Sequence, residues 1–365
     1  MSSLSLVPAL ATSTTTEHSS QRATSVLVVI PTLNEAHGIA GVLKELLSDA
    51  GDVPALNMKV VVVDGGSSDA TRSIVEQLAL VYPNLELVHN RARIQSAAVN
   101  LAVRRFGRDA DVLIRCDAHA SYPPLFVRRL VDSLFRTGAD SVVVPMDSLA
   151  DAGLQRAVAW LSNSPIGTGG SAHRAGRKSG FVDHGHHAAF RLDFFRKVGG
   201  YDETFTHNED AELDCRQRAL GAKIFLDSEI RIEYRPRATL LSLWRQYFKY
   251  GAGRSRTARR HPSSLRIRQM AVPAHVLLSV LALAVSPWSL VLLAWPAMYL
   301  GVLSAFSLQL VLRHRSLTAF LALPAAVIMH TAWACGFFAG LFVHRERTWQ
   351  REMTVPLSLA GGDGL

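Results

Sequence analysis

The stretch Arg115-Cys116-Asp117-Ala118-His119-Ala120 follows a short apolar run, Asp-Val-Leu-Ile. It reads as the end of a buried strand that carries one acid and one imidazole into a cleft. A second acidic pair, Glu209-Asp210 in "NEDAELDCRQR", has the composition that general acid–base work requires. Side-by-side carboxyls also raise the pKa of one of the two. Three histidines, His184, His186 and His187, share a glycine-containing loop, "VDHGHHAAF", with no cysteine or spaced histidine to complete a zinc site. Each feature has a structural alternative. Asp117 can cap a turn beside a packed His119, and "NEDAEL" also reads as a capped, acidic first helical turn.

The elements that would position these residues alternate. "SVLVVIPTLNE" is a β-branched run ending at Pro31, and "GIAGVLKELL" then has apolar residues at helical spacing. "KVVVVDGGSSDAT", "LELVHN", "DVLIRCDAHA" and "ADSVVVPM" read as further strands. "RSIVEQLALV", "SAAVNLAVRRF" and "LFVRRLVDSLF" read as the helices between them. Near-continuous apolar strands imply an α/β fold with a mostly parallel sheet covered on both faces. Ligands of such sheets bind beyond the carboxyl ends of the strands. The polar residues there are Thr32, Asn34, Glu35, Asp64 and Asp117. "DGGSSDAT" matches neither glycine-rich phosphate loop, so Gly65-Gly66 reads as a tight turn, with Ser67 or Ser68 capping the next helix.

The 365 residues exceed one small core and suit a catalytic domain plus a second unit. Net charge is +9, yet only 19% of residues are charged and mean hydropathy is positive. A basic but greasy chain points to a membrane surface and away from nucleic acid. After Glu233 the next acid is Glu346. Between them lie a basic stretch and two uncharged apolar runs, 271–312 and 318–343, long enough for two spans and one span. Lys and Arg place the basic stretch and Arg313-His314-Arg315 on the cytoplasmic side. A third span would then export the basic tail "HRERTWQR", against the same rule. Either the last segment re-enters or the number of spans is wrong. Residues 1–24 read as a disordered Ser/Thr-rich leader and not as a signal peptide. Three well-separated cysteines indicate no disulfide framework. The expected organisation is a leader (1–24), a catalytic domain (25–238), an amphipathic basic interfacial segment (239–270), about three transmembrane helices (271–345) and a tail (346–365).

Taken together, "VVIPTLNE", "VVVDGGSSDAT", "RCDAHA", "FRKVGGYDE" and "NEDAELDCRQRALGAKI" resemble, in order and spacing, family 2 glycosyltransferases with the GT-A fold. The resemblance covers about residues 25–270 and is greatest to the succinoglycan-type exopolysaccharide glucosyltransferases. It implies that Pro31, Thr32 and Glu35 line a uridine pocket and that Asp64 accepts from the base N–H. It also implies that the family's Asp-x-Asp metal clamp is here Asp117 and His119. Hard Mg²⁺ prefers oxygen and imidazole suits Mn²⁺, so Asp-x-His favours manganese. Alternatively Asp117 alone ligates, and His119 donates to a phosphate oxygen or the sugar. Arg93, or Arg91, stands where the family meets the diphosphate. The resemblance makes Asp210 the base that takes the acceptor proton and Glu209 its neighbour. It brings His186 and His187 near the sugar or phosphate, and Gln246 into a faint echo of a Gln-x-x-Arg-Trp motif. "SLWRQYFKYGAGR" suits an amphipathic helix on the membrane interface that also closes the cleft.

The implied activity is inverting, metal-dependent transfer of a hexose, from UDP-glucose, to a polyprenyl-linked saccharide in exopolysaccharide synthesis. The implied site is the cytoplasmic face of a bacterial inner membrane, beside other polysaccharide-assembly proteins. A polyprenyl-phosphate sugar synthase, a processive synthase and a catalytically silent nucleotide-sugar sensor are the alternatives.

Overall fold

Side-chain alternation decides the sheet. In β1 (Thr24–Thr32), Val26, Val28 and Ile30 enter one core while Leu27 and Val29 enter the other. Successive strand residues point to opposite faces, so a strand apolar at every position is covered on both. β2 (Leu56–Asp64) and β4 (Val112–Arg115) flank it and β3 (Leu85–His89) lies beyond β2, all in parallel contacts. The computed structural model describes residues 23–51, 56–169 and 178–343. It completes an eight-stranded sheet with β6 (Ser141–Val143), β8 (Gly180–Phe181), β9 (His187–Arg191) and β10 (Ile224–Leu226), in the order β3-β2-β1-β4-β9-β6-β10-β8. β9 is antiparallel to both neighbours and β8 to β10. A small second sheet, β5-β11-β7, joins β5 (Ala120–Ser121), β7 (Met146–Ser148) and β11 (Ile232–Tyr234). The leader lies outside the described residues except for its last two.

Helices cover both faces. α1 (Ile39–Gly51) buries Ile39, Val42, Leu43, Leu46 and Leu47, the stripe a 3.6-residue period makes, in one core. α2 (Thr71–Ala79) and α4 (Phe126–Thr137) join it there. α3 (Gln95–Phe106), α7 (Leu192–Val198) and α8 (Glu209–Ala219) supply the other core. Register sets Thr32 beside Asp64 and Asp64 beside His89, so the polar strand ends share one edge.

Four long helices follow or flank this domain. α9 (Leu240–Arg260) starts with a capping box on Thr239 and Ser242. Its C-terminal half is fixed to the catalytic domain. Asn208 donates to Thr257 Oγ1 (2.7 Å), Arg256 to the Thr204 carbonyl (2.6 Å), and Arg260 pairs with Asp202. α10 (Ile267–Val285), α11 (Ala294–His314) and α12 (Ala322–Phe342) complete the set. With a preceding short turn in two cases, they give three segments long and apolar enough to cross a membrane, Ile267–Val285, Leu290–His314 and Leu317–Phe342. This matches the two-plus-one count read from the sequence.

The third differs from the others. The protein buries 44% of its apolar window, against 11% for each of the first two. Gly336 packs on Phe248, Gly251 on Trp333 and Phe337, and Gly340 on Ala252 and Ser255. The contacts ascend together, so α12 runs parallel to α9, backbone against backbone, as small residues permit. One segment of the expected catalytic domain packs on the long helices. α5 (Gly153–Ser162) lies within 25–238 in sequence, yet Ala157 packs with Leu310 and Ala322, and Val158 and Leu161 with Leu303 and Ala325. Its apolar face is matched by the long helices and not by the sheet.

Candidate active site

β4 ends in Arg115, and the guanidinium is buried among three acids. Nη1 donates to Asp210 Oδ1 (2.7 Å) and to Tyr201 Oη (3.1 Å), while Nη2 lies 3.7 Å from both Asp117 Oδ1 and Glu209 Oε1. Asp117 and Asp210, 93 residues apart in sequence (210 − 117), therefore stand either side of one cation. Both line one cavity of about 740 Å³, with Glu209, His119, His186 and Gln246.

Local geometry explains the placement. Glu209 and Asp210 open α8 after Asn208, whose φ of 67° turns the chain sharply. Acids in a first turn favour the helix dipole, so structural and functional readings of "NEDAEL" coincide. Asp210 Oδ1 also accepts from Tyr201 Oη (2.8 Å), whose ring is fully buried. Asp117 Oδ1 accepts from Gln95 Nε2 (3.3 Å), and its backbone N–H donates to Tyr122 Oη (2.6 Å). His186 bridges the acids, with Nε2 3.5 Å from Asp117 Oδ2 and Nδ1 4.0 Å from Asp210 Oδ2.

Electrostatics follow from this packing. Burial works against the charge of Arg115, yet Asp210, Asp117 and Glu209 around it keep it protonated. Burial alone would raise Asp117, but Arg115, His186 and His119 hold its carboxyl below the usual range. Glu209 moves up, through burial and then the adjacent Asp210. Asp117 is thus disposed to be an anion and Glu209 to keep a proton.

The expected site residues divide into two groups. Asp117, His119, His186, Glu209, Asp210 and Gln246 share the cavity. Pro31, Thr32, Glu35, Asp64 and Arg93 gather at the adjoining ends of β1 and β2. Glu35 Oε1 links the groups, 3.1 Å from His119 Nδ1. That bond, ahead of the opposing burial, raises the His119 pKa. The imidazole standing against Asp117 is thus His186, and His119 faces Glu35. Arg93 lies over the turn after β2, its guanidinium against Gly66. Gly66 has φ +88°, the tight turn expected of Gly65-Gly66.

Asp64 is engaged by that turn. It accepts from Gly66 N (2.9 Å), Ser67 N (3.0 Å) and Ser67 Oγ (2.5 Å), and it is 1% exposed. A base N–H could reach only the acceptor capacity left over. Ser67 and Ser68 do not cap α2. Ser67 Oγ accepts from Asn34 N, and Ser68 N donates to Asn34 Oδ1, tying the two strand-end turns together. The backbone of His187 opens β9, and its side chain lies outside the described residues.

Among the described residues no cluster of three or more His, Cys, Asp or Glu side chains could hold a metal ion. Asp117 with one imidazole fits a divalent ion that takes its remaining ligands from substrate oxygens, the usual arrangement beside phosphates.

Sequence reasoning missed Arg115, Tyr201 and Gln95. The signal for Arg115 was present, because an arginine inside a fully buried strand needs anionic partners. It also missed that Met329, His330 and Trp333 of α12 line the cavity.

The model of the family described as "Glycosyl transferase family 2" matches residues 27–199. The succinoglycan biosynthesis protein ExoA of Rhizobium meliloti (strain 1021) is 42% identical over 327 residues, covering 89% of this chain and 97% of that protein. The chain belongs to glycosyltransferase family 2. This family 2 glycosyltransferase is also 31% identical to polyprenol monophosphomannose synthase of Mycolicibacterium smegmatis, over 120 residues that span 32% of this chain and 43% of that protein. Among solved structures, the mannosyltransferase PcManGT from Pyrobaculum calidifontis, in complex with GDP-Man and Mn²⁺, superposes with a TM-score of 0.52. It has 20% identity and covers 87% of each chain. The fold is GT-A, with the long apolar helices at its C-terminal end.

Proposed function

We propose that this glycosyltransferase inverts a hexose, from UDP-glucose, onto a hydroxyl of a polyprenyl-linked saccharide in exopolysaccharide synthesis. The observation that carries the reading is the pair Asp117 and Asp210 across one cavity, joined by Arg115 and His186. The similarity to succinoglycan biosynthesis protein ExoA supports the pathway, and the three apolar helices support a place at a bacterial cytoplasmic membrane.

The acceptor hydroxyl attacks the anomeric carbon as the bond to the diphosphate oxygen breaks, and the electron pair leaves with the diphosphate. One displacement from the opposite face inverts the centre. Asp210 receives the hydroxyl proton. Its Oδ1 takes Arg115 and Tyr201, so Oδ2, on the His186 side, is the oxygen assigned to that proton. Arg115 stands against the base as a fixed countercharge. Asp117, with His186 or His119, would hold Mn²⁺ or Mg²⁺, which offsets the charge developing on the departing diphosphate. Thr32, Glu35 and Arg93 form the nucleotide end, and Gln246 and His187 are assigned to the sugars. α9 closes the cavity over them.

The test is transfer from radiolabelled nucleotide sugars to extracted lipid-linked acceptors in membranes bearing the protein. Asp210→Asn is expected to lower the rate about 10²- to 10⁴-fold with donor binding retained. An unchanged rate to a hydroxyl acceptor removes Asp210 as base. Transfer to a bare polyprenyl phosphate, which needs no strong base, would indicate a polyprenyl-phosphate sugar synthase.

A further inference from the structure

The cavity holds more positive charge than its acids require. Its carboxylates among the described residues are Asp117, Glu209 and Asp210, and Arg115 reaches all three. Arg237, Arg245, Lys249, Arg254 and Arg268 line it as well. Arg254 bonds neutral partners, Ser264 and Gln269. Among the described residues no carboxylate pairs with Arg237, Arg245 or Lys249. Arg245 and Lys249 lie one turn apart on α9, so their side chains reach the same volume. Burial, and then the Lys249 charge, hold the neighbouring His207 down to about 4. That imidazole is neutral near pH 7, and the positive charge here belongs to Arg and Lys.

The cavity also has apolar and aromatic walls, among them Ile166, Tyr247, Val272, Met329 and Trp333. Val272 belongs to α10, and Met329 and Trp333 to α12, two of the three helices long and apolar enough to cross a membrane. The cavity is therefore lined by acids and imidazoles of the catalytic domain and by cations and apolar side chains of the long helices. A ligand that satisfies both linings is an amphiphile. Its sugar would face Asp210, its anion the two α9 cations, and its apolar chain the helices.

We propose that Arg245 and Lys249 bind the phosphate or diphosphate group of a lipid-linked acceptor, whose hydrocarbon chain leaves the cavity along α10 and α12. The acceptor role rests on the transferase reading above, whereas the binding site itself does not. The residues deliver two cations one helical turn apart, a spacing that suits two phosphoryl groups or one bridged between them.

The test is a binding measurement on the full chain in phosphatidylcholine nanodiscs, with farnesyl diphosphate as probe and farnesol and inorganic pyrophosphate as controls. Wild type is expected to bind farnesyl diphosphate saturably and more tightly than either control. The Arg245→Gln/Lys249→Gln variant is expected to bind it about ten- to a hundredfold more weakly. Arg245→Lys/Lys249→Arg, which exchanges the two cations, is expected to restore most of the binding and shows that the helix has not been lost. Equal binding by wild type and the Gln variant would overturn the proposal. So would farnesol binding as tightly as the diphosphate, which is apolar partitioning. Pyrophosphate binding as tightly as farnesyl diphosphate would mean the diphosphate end of the nucleotide. A difference confined to nanodiscs containing phosphatidylglycerol would mean contact with bulk anionic lipid. Each of these overturns it. Absence of sugar transfer with normal farnesyl diphosphate binding would sink the transferase reading and leave this site standing.

Discussion

Replacing Arg115 by Met keeps an unbranched side chain in the strand and removes the guanidinium. Asp210 Oδ1 then loses its 2.7 Å donor, while Tyr201 Oη still donates to it. A hydrogen bond to a charged group is worth about 1.5–3 kcal/mol net. At about 1.36 kcal/mol per pKa unit, its loss is worth about one to two units. The acid limb of the pH–rate profile, where the base becomes protonated, is expected to move up by that amount. The same substitution leaves Asp117, Glu209 and Asp210 without the cation between them. Breaking a buried pair from one side costs about 3–5 kcal/mol, so the variant is also expected to melt earlier. Arg115→Lys keeps the charge without the fork that meets several acids at once, and should fall between the two. The assay is transfer of labelled sugar across the acid and neutral range, with the fraction folded measured in parallel. An acid limb that stays in place, with a rate per folded molecule within about twofold of wild type, would refute the role given to Arg115.

His186 stands beside Asp117 while His119 is engaged by Glu35. His186→Asp is therefore expected to shift metal preference from Mn²⁺ toward Mg²⁺ and His119→Asp to leave it unchanged; the reverse result, read by titrating both ions, would return the ligand role to His119. Glu212 is held at about 2, because hydrogen bonds from His261 and Arg216 outweigh the burial that would raise it. Its contribution, on the order of 3 kcal/mol, is full above the unfolded pKa near 4.5 and lost as pH falls toward 2. Melting of wild type against Glu212→Gln should show a gap at neutral pH that narrows on acidification, and a gap independent of pH would contradict this. Gly336→Leu forces a side chain into the Phe248 backbone and is expected to cost about 3 kcal/mol or more, whereas Gly301→Leu on α11, with open space around it, should be near neutral. Equal yields and melting of the two variants in detergent would show that α9 and α12 are not in close contact.

Much of the catalytic half was legible because its signals are local. The valine runs of β1 and β2 are buried at every position, and the acids at strand ends had few other reasons to be there. Asp117 and Asp210 were named from order and spacing, and the fold brings them to one cavity. What could not be read locally was contact across the sheet. Arg115 announces that it needs anionic partners, but which ones appear only when β4 and the start of α8 are seen together. His186 was one of three indistinguishable histidines, and only the path of the loop into β9 selects it. The packing of α5 on the long helices, and of α12 on α9, depends on matching two small-residue faces far apart in sequence. Hydropathy reports that each face is apolar and says nothing of its partner.

The parallel run of α12 along α9 bears on where the polypeptide comes out. The C-terminal half of α9 is bonded to Thr204 and Asn208 of the catalytic domain, and Gly340 lies on Ala252 and Ser255 of that same half. A helix anchored in this way returns its last turn to the compartment that holds the sheet. The last described turn of α12 and the catalytic domain therefore share one anchor, the C-terminal half of α9.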